Sequence, residues 1–131
     1  MNRAFAYWKT IVWSVFMLIL FLLPADNFSK TPSFPGLSES IHAFMFAVFT
    51  FLLVYEQLKA GTLNYPVRRN YITAILLSIP FGITIELLQK ISGFGRAAEF
   101  LDFVYDLAGC LIALIFIRFY ISLRRSWFSK E

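Results

Sequence analysis

The chain has 131 residues and a formal net charge of +4; 59% of it is hydrophobic and only 15% charged, against about 25% charged in a usual soluble domain. Sixteen Phe and three Trp in so short a chain are more than a small soluble core can bury, so lipid is the expected solvent. The single cysteine, Cys110, excludes an internal disulfide framework and a thiolate metal site.

The first apolar run, Thr10 to Leu23, follows Arg3 and Lys9 and superficially resembles a signal peptide. No small-x-small cleavage site follows it, so it is read as a retained helix over 4–23, with Lys9 snorkelling towards the interface. Next comes "PADNFSKTPSFPGLSES", whose prolines, glycine and serines mark a surface loop. Further spans are expected at 41–58, 71–89 and 100–120, each near the ~20 residues that cross a bilayer. The connections between them are the basic "KAGTLNYPVRRN" and the glycine-containing "KISGFGRAAE". The expected fold is all-α: a polytopic membrane protein, one domain, a bundle of four transmembrane helices.

Lys and Arg set the orientation. Nine of them flank the N-terminus, the second connection and the tail, while three (Lys30, Lys90, Arg96) lie on the other side. Both termini are therefore expected to be cytoplasmic. The positive excess is this topology signal, so no nucleic-acid partner is implied; membrane lipids are the expected neighbours, with Tyr120 and Trp127 suited to an interface.

With that topology the ionisable residues gather at the outer end. His42 opens the second span, Glu86 and Gln89 close the third, and Asp102 and Asp106 open the fourth. A charged group at a helix centre costs about 2.5–3.5 kcal/mol on insertion scales, and such residues mark function by default. Asp102, Asp106 and Gly109 share one helix face, with Glu99 a turn above; Gly82, Glu86 and Gln89 form a similar stripe. Small residues let membrane helices approach, so the two glycine-bearing faces are expected to pack together, with Pro80 kinking the third span towards the cluster. Arg96 is the counter-charge, whereas Glu56 and Gln57 read as an ordinary interfacial exit. No Asp-rich or His-x-x-x-His signature is present, so no metal or other cofactor is expected.

These residues resemble the VanZ-like family of small bacterial membrane proteins. The resemblance rests on "HAFMF" opening the second span, "ELLQ" closing the third, Arg96, and "DFVYDLAG" in the fourth. Two positions depart from the family pattern: Asp106 stands where Asn is usual, and Ser38-Glu39 where Asp-Lys commonly precede the histidine. The resemblance implies a multi-pass protein of the bacterial cytoplasmic membrane, in a family whose founding member is associated with reduced susceptibility to the glycopeptide teicoplanin. It implies no settled molecular activity.

The leading expectation is an outer-leaflet site that binds or modifies a cell-envelope molecule, such as a lipid head group or a lipid-linked wall precursor. Glu86 and Asp102 would act as acid, base or cation ligands and His42 as a proton shuttle, with Arg96, Gln89 and Asp106 holding the polar group. The alternative is a non-enzymatic accessory protein whose polar cluster holds the bundle and whose surface binds a partner or the lipid tail of a glycopeptide. Transport is disfavoured because no polar relay leads from the cluster towards Glu56, and no Ser-His pairing supports nucleophilic catalysis.

Overall fold

The computed structural model describes residues 3–24, 30, 32, 34–61, 68–93 and 100–128, the side chains of 3 and 125–128 excepted. All regular structure among them is helical: α1 (Arg3–Ala6), α2 (Trp8–Leu22), α3 (Leu37–Ala60), α4 (Arg68–Ser92) and α5 (Phe100–Phe128). Three helices, α3, α4 and the Phe100–Arg124 part of α5, are long and apolar enough to cross a membrane. At 1.5 Å per residue their 24 to 25 residues cover more than the ~30 Å of a hydrocarbon core. Arg96 and Glu99 lie outside the described residues.

The distribution of polarity is inverted relative to a soluble protein. Ile112, Ile115, Phe116 and Phe119 on α5 stand exposed, whereas His42, Glu56, Gln89, Asp102 and Asp106 are buried. Exposed apolar side chains recur on every long helix, an arrangement that hydrocarbon surroundings make favourable and water does not. Inside, the helical repeat brings His42, Phe46, Phe49, Thr50 and Leu53 to one face of α3, and Asp102, Asp106, Cys110, Ala113 and Ile117 to one face of α5.

The pairing of α3 with α5 is the closest in the bundle. A Cβ built on Gly109 would overlap the backbone of Ala43, with the Ala43 carbonyl carbon at 2.8 Å and Cα at 2.9 Å. Only glycine permits that approach. Gly109 therefore packs against α3, not against α4 as the paired glycine stripes implied. Gly82 does face α5: a Cβ there would lie 3.2 Å from Asp106 Oδ2 and 3.6 Å from Phe103. Pro80 lies inside α4, which continues through it to Ser92.

The N-terminal segment is not one helix. It breaks at Tyr7 (φ −111°, ψ 23°), leaving α2 with 15 residues, shorter than a bilayer-spanning helix by itself. The cause is Glu56. Its carboxylate accepts from the backbone N–H of Lys9 (2.9 Å) and Thr10 (3.0 Å) and from the Thr10 hydroxyl (2.7 Å). In an unbroken helix those N–H groups would bond carbonyls four residues back. Glu56 thus caps α2 from another helix, where negative charge also suits the positive end of the helix dipole.

Candidate functional site

Three helices build the polar cluster, each through its position near the same end of the bundle. His42 sits in the second turn of α3, Glu86 in the penultimate turns of α4, and Asp102 and Asp106 in the first two turns of α5. Helical spacing places Asp102 and Asp106 one above the other, so both face the imidazole. His42 Nδ1 lies 2.8 Å from Asp106 Oδ1, and Nε2 lies 3.7 Å from Asp102 Oδ2. His42, Glu86 and Asp106 each offer a donor atom within 4.8 Å of the others'.

Phe21 of α2 closes the cluster on one side, its ring stacked on His42 at 4.4 Å. The ring and the helices around it leave His42 only 1% exposed and Asp106 2%, so water cannot complete their bonding at will. Among the described residues, His42 Nε2 and Asp106 Oδ2 are buried without a hydrogen-bond partner. Such unsatisfied buried atoms are rare, and each calls for a physical reason.

Among the described residues, the ionisable groups facing His42 are carboxylates. A neutral imidazole carries one N–H, so whichever nitrogen lacks it turns a lone pair towards a carboxylate. The contact becomes attractive on both sides when a proton is added, on the ring or on a carboxylate, or when a cation sits beside it. A histidine held between two carboxylates, with a third at hand, can therefore accommodate an added proton or cation.

The cluster thus brings together His42, Glu86, Asp102 and Asp106 as the spacing implied. Gln89 differs: its Nε2 donates to the Phe21 carbonyl (2.9 Å), an end group of α2, while its Oε1 is buried without a hydrogen-bond partner. It ties α2 to α4 beside the cluster. Glu56, read from sequence as an exit residue, is 3% exposed and fully engaged at the far end of α2. The only sequence signal for it was a carboxylate placed one turn inside an apolar helix end, opposite a threonine 46 positions earlier. A second small polar group, Thr50 with Ser78 at 3.4 Å and the buried Cys110, lies two turns deeper than His42.

Compared with protein-family models, curated proteins and solved structures, the chain matches none of them.

Proposed function

We propose that the chain is a VanZ-like protein of a bacterial cytoplasmic membrane, crossing it four times with both termini inside, α1 and α2 together making the first and shortest pass. Its His42–Glu86–Asp102–Asp106 cluster binds the polar part of an envelope molecule in the outer leaflet and exchanges a proton with it. The observation that supports this reading is the imidazole between Asp106 and Asp102, with His42 Nε2 and Asp106 Oδ2 left without hydrogen bonds inside the bundle. A hydroxyl of a lipid head group or wall precursor donates a hydrogen bond to the acceptors left bare, and the flanking carboxylates stabilise the imidazolium whenever His42 takes up a proton. Glycopeptide susceptibility would follow from occupancy of such a precursor.

A second reading is scaffolding, favoured by one specific observation: Gln89 and Phe21 bind the short helix α2 to the cluster itself. Binding of a lipid-linked wall precursor and of anionic lipid to the purified protein separates the two. Folded Asp102→Asn should lose binding if the cluster is a site, and retain it if the cluster only holds helices. The topology is tested by cysteine labelling in intact cells after Cys110→Ala. Phe34→Cys, exposed in the first connection, should react from outside, and Gly61→Cys, exposed after α3, only after permeabilisation. The reverse pattern would overturn the orientation and the outer-leaflet site with it.

A further inference from the structure

We propose that His42, Glu86 and Asp106 bind one divalent transition-metal cation of the Zn²⁺ or Mn²⁺ kind, with Asp102 orienting the histidine from behind. This deepens the envelope-site reading and rests on the cluster being a working site rather than a knot. The donor atoms come from three helices and lie within 4.8 Å of one another. Around an ion with ligand distances of about 2.1 Å, donors sit roughly 3.4 Å apart in a tetrahedron and roughly 4.2 Å apart across an octahedron. The three groups need only contract slightly to surround an ion, while the 2.8 Å between His42 Nδ1 and Asp106 Oδ1 opens to admit it.

Two further features point to a cation. Asp106 Oδ2 is buried without a hydrogen bond, and Gly82 keeps a side chain from crowding it, since a Cβ there would lie 3.2 Å away. On the opposite edge of the ring, His42 Nε2 faces Asp102 Oδ2 at 3.7 Å. With a metal on Nδ1, the ring proton resides on Nε2 and turns to that carboxylate, the arrangement by which outer carboxylates fix the tautomer of metal-bound histidines. One imidazole with carboxylates favours a borderline first-row ion over Mg²⁺, which prefers oxygen ligands and keeps its waters. The ligands lie 44 and 20 residues apart along the chain, from His42 to Glu86 to Asp106, so no short spacing motif reveals them.

The test is Zn²⁺ binding by the purified full chain in detergent, stripped with chelator and titrated with the metal alone. Elemental analysis should find one Zn²⁺ per chain, and the thermal midpoint should rise with Zn²⁺ but not with equal Mg²⁺. His42→Gln and the near-isosteric Glu86→Gln should each weaken binding at least about tenfold, while Glu39→Gln, outside the cluster, leaves it unchanged. If His42→Gln fails to fold, Glu86→Gln decides the matter. A folded wild type that binds no Zn²⁺, or a folded Glu86→Gln that binds it as wild type does, overturns the metal site. Absence of Zn²⁺ binding alongside loss of precursor binding in Asp102→Asn would remove the metal and keep the envelope site; absence of both removes both.

Discussion

The bundle buries carboxylates at both ends, and the two ends treat them in opposite ways. At one end Glu56 receives three hydrogen bonds, two from the open N-terminus of α2 and one from Thr10. Both its oxygens are engaged. At the other end, Glu86, Asp102 and Asp106 lie around one imidazole, and among the described residues His42 Nε2 and Asp106 Oδ2 have no hydrogen-bond partner. Burial alone therefore does not tell how completely a polar group in a membrane bundle is bonded. The balance of donors to acceptors does: a saturated carboxylate holds the fold together, whereas buried acceptors without a donor leave room for a further bond, as the proposed site requires.

The largest effect is expected where the second end is assembled. Gly109→Leu drives a side chain into the backbone of Ala43 and should prevent α3 and α5 from closing, so that folded protein fails to accumulate. Gly82→Ala, facing only side-chain atoms at 3.2 Å and beyond, should cost no more than about 1–2 kcal/mol by detergent melting, within the usual range for mild overpacking. Equal yields of Gly109→Leu and wild type would break the close-crossing account.

Next comes the saturated end. Glu56→Gln replaces a charged acceptor pair with one acceptor and one donor, the latter facing an N–H group. It should destabilise by about 2–3 kcal/mol, the scale of hydrogen bonds to charged groups together with an unsatisfied donor. Thr10→Val removes only the 2.7 Å hydroxyl bond and should cost about 1 kcal/mol. If Thr10→Val cost as much as Glu56→Gln, the cap would owe little to its charge.

The two ends also differed in legibility. The long helices were readable from apolar length and charge: 41–58, 71–89 and 100–120 lie inside α3, α4 and α5. Members of the polar cluster were readable because an ionisable group in an apolar run stands out, and because helical repeats put Asp102 and Asp106 on one face. Partners across helices were not readable. Nothing local tells that Gly109 meets Ala43, that Gln89 reaches Phe21, or that Glu56 breaks the first helix at Tyr7. Those contacts depend on how helices are rotated against one another, which the period of a single helix leaves open.

Neutralising one carboxylate at each end tests the contrast most directly, by thermal unfolding of Asp102→Asn and Glu56→Gln in the same detergent. Each change is nearly isosteric, so the difference between them isolates the charge. Glu56→Gln should melt well below wild type. Asp102→Asn, which relieves crowding of like charge in an acceptor-rich cluster, should melt within about 1 kcal/mol of wild type or above it, as residues kept for function often do. A fall in Asp102→Asn as deep as that of Glu56→Gln would contradict the account, because it would make the cluster a second structural cap.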